Sequence, residues 1–111
     1  MELSPKVRAS IERASIVVDG TSHSLRLVSA VPDRRPPLTP AFASFTVETR
    51  KGHELIRVVE NVPLDHLDDV AYVVGVVVDA VRAVLSGERV PAARVLLNSG
   101  GQGPRRGRNL S

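Results

Sequence analysis

The chain of 111 residues contains no cysteine and no tryptophan, and aromatic residues make up only 3% of it. Without cysteine, the protein cannot form disulfides, thiolate metal sites or a cysteine nucleophile. Because aromatic residues are so few, a core must be built mainly from Val, Leu, Ile and Ala, and the hydrophobic content of 42% is sufficient for this. A chain of this length is typical of one domain.

The sequence also lacks segments that would direct the chain into or across a membrane. Residues 1–14 contain no apolar run of the kind found in a secretory signal. The apolar run from Val70 to Val78 has nine residues, whereas a membrane-spanning helix needs about 20. We therefore expect a cytoplasmic protein. The preference for arginine over lysine, 13 against 2, favours a GC-rich bacterial or phage genome.

Charge is distributed unevenly along the chain. Residues 1–88 carry 10 basic and 12 acidic side chains, whereas residues 89–111 carry five arginines and no acid. From residue 99 onward the composition is rich in Gly, Ser and Arg, which is typical of disorder. We predict a single domain over residues 1–98, followed by a flexible basic tail over residues 99–111.

Residues typical of helix caps and turns divide the first part of the domain into a short helix, a hairpin and a loop. Ser4 followed by proline predicts the start of a short helix that ends near Ala14. The Asp19-Gly20 pair predicts a hairpin, with the returning strand through Leu25–Val31. The four prolines of Pro32–Pro40 indicate a loop.

The second part contains another hairpin and then a long helix. Alternating residues predict strands over Phe42–Arg50 and Glu54–Val62, joined at Lys51-Gly52. A helix is predicted from an Asp65 N-cap to Ser86, with Gly87 as the C′ glycine that ends it. One or two further helical turns are predicted over Pro91–Leu97. The fold class is therefore α+β: two hairpins form a four-stranded, mainly antiparallel sheet with the long helix packed on it.

The long helix has few polar residues, and this feature predicts self-association. Its water-tolerant stripe is narrow and comprises Tyr72, Gly75, Asp79, Arg82 and Ser86. A helix that is apolar on nearly every other side must be covered by more than one layer. We therefore expect a non-catalytic interaction or assembly module that forms homo-oligomers through this helix or through a sheet edge. The candidate residues on the helix are Val70, Val73, Val74, Val77, Val78 and Val81.

Nucleic-acid binding is the alternative function. The tail arginines Arg105, Arg106 and Arg108 offer donors for phosphates. On the sheet, Arg26, Arg50, Lys51 and Arg57 could line one surface, with Phe42 or Phe45 as a stacking group. We expect Phe45 to lie in the core instead, because it shares one face of its strand with Val47 and Thr49.

No catalytic machinery is visible in the sequence. It contains neither a Gly-x-Ser-x-Gly elbow nor a glycine-rich loop that would hold phosphates. We predict no catalytic, cofactor or metal site and no small-molecule substrate.

Overall fold

The computed structural model describes residues 3–33 and 42–97. Within these residues the predicted α+β fold is confirmed, with two helices, a four-stranded antiparallel sheet and a separate two-stranded sheet. The predicted loop beyond Asp33 and the predicted tail over residues 99–111 lie outside the described residues. The elements are α1 (Pro5–Arg13), β1 (Ser15–Val18), β2 (Thr21–Ser24), β3 (Arg26–Asp33), β4 (Phe42–Lys51), β5 (Glu54–Pro63), a 3₁₀ turn (Leu64–His66), α2 (Val70–Leu85) and β6 (Ala93–Leu96).

Helix α1 begins where the sequence predicts. The Ser4 side chain accepts a hydrogen bond from the backbone N–H of Lys6, and Pro5 occupies the first helical position. One face of the helix buries Val7 and Ile11 completely. The short helix therefore contributes to the core despite its mostly polar composition.

The first hairpin turns at Asp19-Gly20, as predicted, with positive φ at both residues. The strand predicted over Leu25–Val31 is present as β3, but its predicted pairing with β1 is wrong. Strand β2 (Thr21–Ser24) pairs with β1, whereas β3 starts two residues later and belongs to the large sheet. Leu25 separates the two strands, and the chain changes sheets there. Strand β3 also continues through Pro32 and Asp33, where the sequence predicted a loop.

The second hairpin agrees closely with the prediction. Strands β4 and β5 pair in an unbroken antiparallel register around a turn at Gly52, whose φ is 63°. The side chains of β4 alternate, so that Phe45, Val47 and Thr49 are buried together on the side of the helices. The strand order of the large sheet is β3-β4-β5-β6.

Residues 93–96 form strand β6, and the predicted helical turn over Pro91–Leu97 is wrong. Strand β6 pairs antiparallel with β5, with Leu55 opposite Val95. Helix-favouring residues form a strand here because the edge of β5 offers backbone hydrogen-bond partners, and such tertiary contacts override local propensity.

Helix α2 begins later than the sequence predicts. Asp65 lies in the 3₁₀ turn, and the N-cap is Asp69, whose side chain accepts from the Tyr72 N–H at 3.1 Å. The predicted end is confirmed. Gly87 has a φ of 86° and donates to the Val84 carbonyl, while Glu88 donates to the Ala83 carbonyl, which together form a Schellman motif.

The predicted water-tolerant stripe of α2 is exposed, and within it Arg82 contacts Asp79 at 3.4 Å. The opposite side of α2 packs with α1 on the sheet, and both helices share one core with the buried residues of β3, β4 and β5. Neither of the two helices in the described ranges is long and apolar enough to cross a membrane.

The position of the N-cap gives a stability prediction. We expect Asp69→Ala to lower the free energy of unfolding by about 1 kcal/mol, because the Tyr72 N–H loses its acceptor. Asp65→Ala is the matched control, and we expect it to change stability by less than about 0.5 kcal/mol because that side chain is exposed. Urea denaturation of both variants measures the difference. Equal losses would contradict the Asp69 cap.

Candidate functional site on the open face of the sheet

The large sheet has one covered face and one open face. Helices α1 and α2 pack on the first, and in the described ranges no helix or strand covers the second. Side chains on this open face alternate with the core residues along each strand. They include Arg26, Val31, Phe42, Thr46, Glu48, Arg50, Leu55, Arg57, Val59 and Val95.

A carboxylate is buried at the centre of this open face. Glu48 is only 5% exposed, although it lies on the side away from the helices. Arg26 on β3 and Arg57 on β5 are its direct cross-strand neighbours. Arg26 Nη1 donates to Glu48 Oε1 at 3.3 Å, and Arg57 donates to Oε2 from both Nε (3.1 Å) and Nη2. The two arginines exclude water from the carboxylate and supply the hydrogen bonds that its burial requires.

Arg50 adds a further positive charge to the same face. It lies two residues beyond Glu48 on β4 and is exposed. No described carboxylate lies within ion-pair distance of it. The cluster of Arg26, Glu48, Arg50 and Arg57 therefore has an excess of two positive charges.

The structure separates the predicted nucleic-acid residues. Arg50 and Arg57 share the open face, whereas Lys51 Nζ donates to the Leu85 carbonyl at the end of α2 on the other side. Phe45 is completely buried, and Phe42 is the aromatic residue on the open face. Arg105, Arg106 and Arg108 lie outside the described residues.

The candidate self-association residues of α2 fall into two groups. Val73, Val77 and Val81 are completely buried inside the chain itself, so they have no surface to offer a partner. The other three are partly buried and pack against the same core: Val70, Val74 and Val78. The core therefore uses much of the surface that the sequence assigned to a second copy.

The two edges of the large sheet differ in their protection. Strand β3 has a register shift between Leu27 and Ser29 and contains Pro32. The Leu27 N–H also donates to the carboxylate of Glu12 at 3.3 Å, which occupies part of this edge. Bulges, prolines and blocked donors hinder the addition of another strand.

Strand β6, the opposite edge, has no such protection. It contains no proline or register shift, and its one charged residue, Arg94, contacts Glu54 at 3.3 Å. Val95 is 50% exposed and Leu96 is 70% exposed. An exposed edge strand with apolar side chains is a template for pairing with another chain. This edge strand is absent from the sequence-based predictions, because its residues favour a helical turn.

A cavity of about 360 Å³ opens between the hairpin β1-β2 and the end of the large sheet. Its lining includes His23, Arg26, Glu48, Arg50, Leu55 and Leu97. The hairpin is fixed beside it by two hydrogen bonds. His23 Nδ1 lies 2.8 Å from the Arg50 carbonyl, and Thr49 Oγ1 donates to the Ser24 carbonyl at 2.8 Å. Because a carbonyl can only accept, His23 carries its proton on Nδ1.

Sequence reasoning did not identify Glu48 or His23. The pairing of Glu48 could have been predicted from the sequence, because the turn after Lys51 sets the register that places Arg57 opposite Glu48. The signal for His23 was absent, because its partner lies 27 residues away.

The polar residues before α2 have structural roles. The His66 ring stacks on Tyr72 with ring centroids 4.2 Å apart, and Asp69 caps the helix. No group of three or more His, Asp or Glu side chains in residues 3–33 and 42–97 is arranged to hold a metal ion.

Comparison with known proteins adds no relative: the sequence matches no protein family, and it matches neither a curated protein nor a solved structure.

The buried ionic cluster gives a second stability prediction. We expect Glu48→Gln to lower the free energy of unfolding by about 1–2 kcal/mol, because three arginines then lie together without a carboxylate. The loss stays below the ~3–5 kcal/mol of a fully buried pair since the side chains of Arg26 and Arg57 are 74% and 45% exposed.

Asp79→Asn is the matched control for this change. It removes the same charge from the exposed pair with Arg82, and we expect a loss below about 0.5 kcal/mol. Chemical denaturation of both variants measures the effect. If Glu48→Gln is no more destabilising than Asp79→Asn, the cluster does not stabilise the sheet.

Proposed function

We propose that this protein is a small non-catalytic interaction module that self-associates by pairing strand β6 of two copies. The observation that supports this proposal is the difference between the two sheet edges: β6 is unprotected, while β3 has a register shift, Pro32 and the Glu12 contact. A cytoplasmic location remains part of the proposal.

The difference between the edges also favours a closed dimer. A strand that adds to β6 must itself come from an edge, and β3 of a second copy is hindered. Within the large sheet the remaining choice is β6 itself, which gives an isologous two-fold contact and no open filament. Two four-stranded sheets would then form one continuous sheet of eight strands.

The symmetry of this contact determines which residues meet. A two-fold axis perpendicular to the sheet keeps the helices of both copies on the same side, so paired residues must point to the same face. Centred at Val95, the axis places Val95 opposite its own symmetry mate and Arg94 opposite Leu96 of the other copy. The contact would cover both exposed apolar residues of β6, and it would place no two arginines directly opposite each other.

Sedimentation velocity of the full chain at micromolar concentrations tests the dimer. We expect wild-type protein to sediment with twice the mass of one chain. Val95→Lys should sediment as a monomer, because two lysines directly opposite each other repel. The fold should persist, since Val95 is half exposed in the single chain.

Val90→Lys is the control for surface charge. Val90 is 86% exposed and precedes β6, so we expect this variant to dimerise like the wild type. A monomeric wild type, or a Val95→Lys variant that still dimerises, would overturn the proposal.

A specific observation also favours the second function, nucleic-acid binding: Arg26, Arg50 and Arg57 lie on one face. Against it, Phe42 is six residues from Glu48 along β4, about 20 Å at strand spacing, so a base stacked there lies far from the arginines.

Fluorescence anisotropy with single-stranded DNA and RNA tests this second function. A variant with Arg26, Arg50 and Arg57 all changed to Gln should lose affinity if the face binds phosphates, and wild-type binding should weaken with salt. Changing Arg105, Arg106 and Arg108 to Gln instead tests the tail separately. Absence of binding by the wild type would exclude this function.

A further inference from the structure

We infer that the cavity beside hairpin β1-β2 is a binding site for a small organic monocarboxylate with an apolar body. This inference goes beyond the proposed dimer, which uses the edge of β6. The cavity, about 360 Å³, falls within the range of about 300–1,000 Å³ that is usual for small-molecule sites.

The first argument is the supply of hydrogen-bond donors. A guanidinium has five N–H donors, and Arg26 uses one of them on Glu48. No described acceptor takes a hydrogen bond from the Arg50 side chain. Arg26 and Arg50 occupy diagonal positions on neighbouring strands, where Cα atoms lie about 7–8 Å apart. Two long side chains at this spacing can converge on the same anion.

The second argument is preorganisation. Glu48 is held between Arg26 and Arg57, so its carboxylate keeps the Arg26 guanidinium at the wall of the cavity. Behind it, the buried ring of His23 is bonded to the carbonyl of Arg50, which fixes the backbone from which the second guanidinium projects. Because the Arg26 guanidinium and the Arg50 backbone are already positioned, less conformational entropy is lost on binding than with two free side chains.

Charge balance defines the class of ligand. Among the residues that line the cavity, Arg26 and Arg50 stand against Glu48, which leaves one positive charge; Arg57, the other partner of Glu48, does not line it. A singly charged anion neutralises this excess of the cavity wall. Arginine binds carboxylates through two parallel hydrogen bonds.

The rest of the wall defines the body of the ligand. Leu25, Leu55 and Leu97 contribute apolar surface to the cavity, and Leu55 and Leu97 are only partly buried in the chain. Burial of an alkyl or aryl group against them is favourable at about 25 cal/mol per Å² of apolar area. The combination of one charge with leucine walls favours an aliphatic or aromatic carboxylate over a free inorganic anion.

A nucleic-acid phosphodiester is also a monoanion, but a nucleic-acid strand and a small carboxylate would contact different arginines. A strand that runs across the open face would contact Arg57 as well as Arg50. Arg57 does not line the cavity, so a small carboxylate would not depend on contact with it.

The test is a titration of the full chain, followed by two-dimensional ¹H–¹⁵N NMR, with hexanoate, acetate and the neutral analogue hexanamide. We expect saturable shifts around the cavity with hexanoate, weaker binding of acetate and none of hexanamide. Arg50→Gln should weaken hexanoate binding about tenfold, as expected for the loss of a charge-assisted contact. Leu97→Ala should weaken binding of hexanoate more than that of acetate.

Arg8→Gln is the matched control: the Arg8 side chain on α1 is exposed, and we expect its replacement to leave hexanoate binding unchanged. Equal weakening by Arg8→Gln and Arg50→Gln would show diffuse attraction and would overturn the site. So would the absence of saturation with hexanoate, or equal binding of hexanamide. Oligothymidylate that binds and depends equally on Arg50 and Arg57 would reassign the arginines to a nucleic-acid strand and likewise overturn the proposal. The responses to Arg50→Gln and Arg8→Gln do not depend on whether the chain dimerises, because neither residue lies on β6.

Discussion

The organisation of the sheet depends on the carboxylate of Glu48, which is shared between arginines on both neighbouring strands. Successive residues of a strand point to opposite faces, so a slip of one residue would move Glu48 into the apolar core. The ion pairs and the buried Phe45 and Val47 therefore favour the same register from opposite faces. The same carboxylate positions two guanidiniums on the open face, and it thereby links the stability of the sheet to the chemistry of its surface.

The sequence was sufficient to predict those helix ends and turns that are determined by residues close together in the chain. Ser4 before a proline, Asp19-Gly20 and Gly87 each satisfy a backbone requirement within a few residues, and each lies where the sequence predicts it. The alternation of β4 and β5 was also readable, because one face is buried and the turn at Gly52 fixes their pairing.

The wrong predictions of secondary structure occur where contacts between residues far apart in the sequence determine the structure. Residues 93–96 contain good helix formers, but the Schellman turn at Gly87 ends α2 and Arg89 then donates to Glu60 Oε1 and the Val59 carbonyl. These contacts hold the chain beside β5, where it completes the sheet. Similarly, local sequence could not show that the chain changes sheets at Leu25. That change depends on His23 and Thr49, which bond across 27 and 25 residues. The open face was partly foreseen through Arg50 and Arg57, but its central carboxylate was not.

The valine-rich helix α2 serves the core of its own chain more than the sequence suggested. Its composition suggested more apolar surface than one core needs, yet Val73, Val77 and Val81 are completely buried by packing against α1 and the sheet. In a small domain with so few aromatic residues, one β-branched helix must supply much of the core. The surfaces on which both proposals rest are consequently on the sheet, at the β6 edge and around the arginine cluster. Because Leu97 directly follows β6 and lines the cavity, the proposed pairing at that edge would fix the backbone beside the proposed anion site.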